Sequence, residues 1–177
     1  MKLIMRFYTL SIFCILFFIT MTAKAVDTSL IIKGRVWSNS CEVSVGSKNF
    51  TVDLGNNANK NFLDLNRRGP KKSFNIVLSR CGETARGAYL SFNGEQDSSN
   101  RNLLKLDSAP AAATGVAIMI TKDNDTLIPI NKNRAVLVQL QPSISNVINL
   151  NAELVSVRLP VTMGKFTAIS NFVLEYL

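Results

Sequence analysis

An all-β fold is what the sequence predicts, on three observations. Short alternating or β-rich runs recur along the chain, turn-forming residues separate them, and no long stretch carries apolar residues at helical spacing. Candidate strands fall at residues 30–37, 42–45, 49–54, 73–79, 88–92, 115–121, 126–130, 135–140, 147–158 and 165–176. Several short strands at this chain length point to a sandwich of two sheets.

Ahead of the strands, residues 1–25 read as a cleaved secretory signal. Lys2 and Arg6 precede an apolar run from Leu10 to Ile19, and Ala23-Lys24-Ala25 supplies small residues at cleavage spacing. The run is shorter than the roughly 20 residues that cross a bilayer. Cys14 leaves with the signal, and the mature chain is expected to begin at Val26. Its 17 basic residues face 12 acidic ones, a net charge of +5 that favours weak attraction to anionic surfaces. The remaining 152 residues suffice for one domain with a real core.

The first strand alternates with unusual regularity. Thr28, Leu30, Ile32, Gly34 and Val36 share a nearly apolar face, while Asp27, Lys33 and Arg35 lie on the other. No hairpin turn joins this strand to a partner before Cys41, so it reads either as an ordinary first strand or as one that pairs elsewhere. Gly34 interrupts the apolar row, as a glycine does where another backbone or side chain approaches closely. Cys41 and Cys81 are the only cysteines of the mature chain, and export permits their oxidation, so one disulfide is expected. Closing a loop of this length stabilises a fold by roughly 4 kcal/mol in the chain-entropy model.

The clearest hairpin runs from Ile118 to Ile130, with Lys122-Asp123-Asn124-Asp125 as its turn. Asp123 and Asp125 as calcium ligands would need further oxygen ligands at fixed spacing, which the sequence lacks. The final strand sets Phe166, Ala168, Ser170, Phe172, Leu174 and Tyr176 on one face, up to Leu177. An apolar row of this kind lies in the middle of a sheet or borders a strand that arrives later, because an open apolar edge invites aggregation. The Leu177 carboxylate would place a negative charge at the strand end, suited to a basic cleft.

Several functions are excluded or disfavoured. Without histidine there is no Ser-His-Asp or Cys-His arrangement, and neither a glycine-rich phosphate loop nor a metal cluster is recognisable, so no enzyme, cofactor or metal is expected. Arg67, Arg68, Lys71 and Lys72 around Gly69-Pro70 form the one basic cluster. It reads as a solvated loop or as a contact for a partner or anionic sugar, and not as a nucleic-acid site, which would add exposed aromatics.

Taken in order, several segments carry a family likeness: residues 27–36 before Cys41, Asn49-Phe50-Thr51-Val52-Asp53-Leu54, Leu78-Ser79-Arg80-Cys81-Gly82, Leu159-Pro160-Val161-Thr162-Met163-Gly164, and Phe172-Val173-Leu174-Glu175-Tyr176. In these the chain resembles the pilin subunits of chaperone-usher fimbriae, most closely the minor tip adaptors of type 1 fimbriae. The resemblance implies an incomplete immunoglobulin-like β-sandwich that lacks its last strand and is completed by a donor strand, a known form of strand addition. It implies a donor extension at 26–37 and a pilin domain at 38–177. Thr28, Leu30, Ile32, Gly34 and Val36 would enter a neighbour's groove, and Phe166, Phe172, Leu174, Tyr176 and Leu177 would line this subunit's groove or meet a chaperone. The partners implied are a periplasmic pilus chaperone, an outer-membrane usher, and neighbouring fimbrial subunits including a tip adhesin or another adaptor. The expected location is a fimbrium on the bacterial surface, reached through the periplasm. A major rod subunit and a self-contained secreted β-sandwich binding domain stand as alternatives.

Overall fold

The computed structural model describes residues 32–34 and 39–177. The chain divides into two compact units, Met1–Arg35 and Val36–Leu177. Candidate strand 30–37 therefore lies largely outside the described residues; within it, Ile32, Lys33 and Gly34 are exposed and carry no regular structure.

The second unit is a two-sheet antiparallel β-sandwich. Its strands are β1 (Glu42–Val43), β2 (Lys72–Ser79), β3 (Gly87–Gly94), β4 (Val116–Lys122), β5 (Val136–Gln139), β6 (Asn146–Ser156) and β7 (Ser170–Tyr176), with one helical turn, α1 (Val45–Lys48), and a 3-10 turn at Asn59–Phe62. One sheet has the order β1-β2-β6-β4 and the other β5-β3-β7. Alternation dictates which residues meet between them. Ile76, Leu78, Ile148 and Leu150 point inward from the first sheet, and Ala88, Leu90, Phe92, Val136 and Val138 from the second. A smaller cluster of Phe62, Leu106, Val116 and Leu154 lies beside the loops that precede β2 and β7.

Cys41 and Cys81 form the expected disulfide. Four expectations need correction. Residues 42–45 do not continue as a strand, because the Ser47 hydroxyl, almost fully buried, accepts the Val77 amide (2.9 Å) and Ser44 N donates to Val77 O (2.9 Å). These two bonds take over the β2 edge and let α1 form. Residues 126–130 form no continuous strand, although Lys122 N→Thr126 O and Ile128 N→Ile120 O (both 2.9 Å) keep the hairpin and its turn; Pro129 has no amide to extend the ladder. The last strand starts at Ser170, because the preceding residues bond to the 107–113 loop through Asp107 N→Thr167 O (2.8 Å) and Ala113 N→Lys165 O (3.0 Å). Residues 49–54 are in no strand among the described residues, for a reason that belongs to the site below.

The basic cluster is not a freely solvated loop. Gly69 N→Leu154 O (2.8 Å), Asn66 N→Ser156 O (2.9 Å) and Ser156 N→Arg67 O (3.0 Å) lay it along the upper part of β6. Arg68 pairs with Glu153, whose carboxylate is nearly fully buried; Arg67 pairs with Asp64, and Lys71 with Asp125. Asp125 occupies a left-handed position in the hairpin turn (φ 64°) and Asp123 Oδ1 accepts the Asn124 amide (3.0 Å), so both aspartates are turn residues.

Candidate functional site

Among the described residues β7 is bonded to a strand on one side only. Its register on β3 pairs Tyr176 with Ala88, Leu174 with Leu90 and Phe172 with Phe92. Leu177 N donates to Gly87 O (3.1 Å). Hydrogen-bonded and non-bonded pairs alternate along an antiparallel ladder. Glu175, Val173 and Asn171 therefore turn their N–H and C=O groups to β3, while Tyr176, Leu174, Phe172 and Ser170 turn theirs to the other edge. Among the described residues no strand pairs with that edge.

The side chains of this second set face inward, and here the core is open. Ala88 and Leu90 on β3 are fully buried and Phe92 is 4% exposed, yet their partners Tyr176, Leu174 and Phe172 remain only half-buried. Phe166 and Ala168 continue the half-buried row. Val43 and Phe74 on the first sheet are also half-buried and pack on the same core. Phe172 contacts Phe92 (ring centroids 6.4 Å), and Phe74 contacts Phe50 (5.8 Å), which is itself 42% exposed.

The unpaired stretch 49–54 shares this character. Asn49 is extended (φ −140°, ψ 114°), Val52 and Leu54 are half-buried, and Thr51 and Asp53 are exposed, the alternation of a strand without its ladder. The sequence signal there is real, but within the described residues the segment has no backbone partner to make it a strand.

The disulfide end of the opening is tied across the sandwich. The Tyr176 hydroxyl donates to Cys41 O (3.0 Å), and burial pushes its pKa up. Asn39 Nδ2 donates to a terminal oxygen of Leu177 (2.9 Å). The Leu177 side chain lies over Gly87, where an added Cβ would come within 2.9 Å of it, so glycine there seats the leucine. On the outer face of the same sheet Arg134 Nε donates to both carboxylate oxygens of Glu175 (2.9 and 3.0 Å), and its guanidinium lies 5.3 Å from the Tyr89 ring centroid.

The structure thus brings together the expected Phe166, Phe172, Leu174, Tyr176 and Leu177 on or beside one open edge. Of the other expected set, Thr28, Leu30 and Val36 lie outside the described residues, while Ile32 is 86% exposed. A Cβ on Gly34 would meet nothing within 4 Å among the described residues. Asn39, Arg134 and Tyr89 were not foreseen; isolated polar residues outside an alternating row leave no periodic signal.

With this geometry in view, residues 30–177 match the family described as fimbrial protein. The chain is similar to the uncharacterized fimbrial-like protein YdeS of Escherichia coli (strain K12), with 35% identity over 159 residues that cover 89% of this chain and 90% of the relative. It is similar to the probable major fimbrial subunit LpfA of Escherichia coli O157:H7, with 31% identity over 87% of this chain and 86% of the relative. In fold it is similar to the crystal structure of the P pilus rod subunit PapA, with a TM-score of 0.66 at 23% identity over 77% of this chain and 99% of that one.

Proposed function

The chain belongs to the fimbrial protein family, and from that premise we propose that it is a structural, non-enzymatic minor subunit, an adaptor near the fimbrial tip, polymerised by donor-strand complementation and supporting cell adhesion. Its place as a fimbrial subunit is the bacterial surface, reached through the periplasm. The observation that carries the reading is the one-sided ladder of β7: edge-facing backbone groups coincide with the half-buried Phe172, Leu174 and Tyr176. A strand laid along this edge bonds those groups and covers those side chains in one step, which is what strand addition requires.

On this reading the donor for the next molecule is 26–37 and the acceptor is 38–177. Thr28, Leu30, Ile32, Gly34 and Val36 enter a neighbouring groove, with glycine where the approach is closest. In transit a periplasmic chaperone covers the edge and holds the Leu177 carboxylate, and at the outer-membrane usher a neighbouring subunit replaces it. Deleting residues 26–36 tests the donor half: the shortened chain should still co-purify with chaperone and fail to fill its neighbour's groove in assembled fibres. Normal incorporation of that deletion would overturn the reading.

The name of the relative LpfA favours a second role, the major rod subunit. The adaptor role rests on the likeness of the quoted segments to tip adaptors. Subunit stoichiometry in purified fibres separates them, since a rod subunit dominates by mass and an adaptor is scarce.

A further inference from the structure

We propose that Arg134 is a positioning residue for strand capture: by clamping Glu175 over Tyr89 on the outer face of the second sheet, it holds the open edge of β7 ready for an incoming strand. The inference rests on the strand-acceptor reading above and goes beyond it by naming a group outside the groove that sets how fast the groove is filled.

Register carries the argument. Tyr89 on β3 stands opposite Leu137 on β5 and opposite Glu175 on β7. Arg134 lies just before β5, in a left-handed conformation (φ 50°), and its side chain crosses the Tyr89 ring to reach Glu175. One side chain therefore spans the sheet from the β5 side to β7. Glu175 sits between Leu174 and Tyr176, the two residues whose backbone groups face the open edge. An edge strand bonded to a single neighbour can fray, and every misaligned conformation lowers the fraction of molecules able to accept a strand. A planar guanidinium that binds both oxygens of a carboxylate and lies over an aromatic ring restricts orientation as well as supplying charge, which lysine cannot copy. Both groups are more than half exposed or nearly so, which leaves them outside the packed core. The clamp is thus a device of orientation, and its loss leaves the sandwich folded.

Once a donor strand is seated, β7 is bonded on both sides and no longer needs the clamp. This separates positioning from general stabilisation. The test uses the full chain with a synthetic peptide of residues 26–37 as probe, following capture and release by fluorescence or mass spectrometry. Arg134→Ala and Arg134→Lys should each capture the peptide about three- to tenfold more slowly, with release of the seated peptide nearly unchanged. Glu175→Gln should behave like them, and exchanging the two charges (Arg134→Glu with Glu175→Arg) should recover part of the rate. Unaltered capture by all these variants overturns the proposal, as does release accelerated in the same proportion as capture is slowed. Failure of the unmodified chain to take up either this peptide or a peptide of a neighbouring fimbrial subunit's N-terminal extension overturns the acceptor reading itself, and the clamp with it.

Discussion

Glu153 shows how little of a side chain's role is visible from its type. It lies on the outward face of β6, yet the 64–69 segment covers it and Arg68 is its partner. The bond to Glu153 holds the Arg68 guanidinium above its ordinary pKa, with burial opposing. Arg68→Ala strands a buried carboxylate; because the arginine is itself 41% exposed and partly screened, the expected loss is about 1–3 kcal/mol in chemical denaturation. An arginine on a freely solvated loop would cost nothing measurable. Tyr176→Phe removes the bond to Cys41 O but keeps the ring, so stability should fall by about 1 kcal/mol, read as a lower unfolding midpoint. Asp125 gives the pH dependence. Its bond to Lys71 lowers the carboxyl pKa below the ordinary value, with desolvation opposing. A carboxylate with a depressed folded pKa stabilises above its unfolded pKa and loses that contribution as pH falls through the folded value. Thermal scans of the chain and of Asp125→Asn, which also accepts the left-handed turn position, should differ at neutral pH and converge in acid.

Among the elements, β2 and β5 were legible because their inward residues repeat every second position and their burial follows that pattern, whereas β3, β4 and β6 read as strands from their β-rich runs and are buried on both faces over much of their length. Where local polar bonding competed, alternation misled. Ser44 and Ser47 turn the chain into α1 after β1, and Thr126-Leu127-Ile128-Pro129-Ile130 reads as a strand although its proline cannot donate. Residues 49–54 are the instructive case: side-chain alternation predicts a strand, but a strand also needs a neighbour, and a sequence does not say whether one is present in the same chain. The alternating row 166–176 was legible as a half-buried face, and only the structure showed that no described strand pairs with one of its backbone edges. Gly164, read from the sequence as part of a family segment, has a steric reason in the fold. A Cβ there would lie 2.3–2.4 Å from backbone atoms of residues 111–113. Gly164→Ala should therefore push apart the two loops beside the smaller core cluster and cost at least about 1–3 kcal/mol, seen as a lower melting temperature and faster amide exchange at 107–113.

At the scale of the whole sandwich, the described residues close it along β3 and leave it open along β7, with the disulfide, Tyr176 and Asn39 tying one end of the opening. A self-contained domain would bury Phe172, Leu174 and Tyr176 as completely as it buries Leu90. An acceptor domain leaves them half-covered and gives their backbone groups no neighbour, so strand supply from outside becomes part of the fold and the fibre inherits its linkage from the core. The most direct measurement is residue-resolved amide hydrogen exchange along β7, for the chain alone and after addition of the 26–37 peptide. The account predicts fast exchange at Phe172, Leu174 and Tyr176, slow exchange at Asn171, Val173 and Glu175, and uniform protection once the peptide is seated. Full protection of all six amides in the chain alone, unchanged by the peptide, would contradict it.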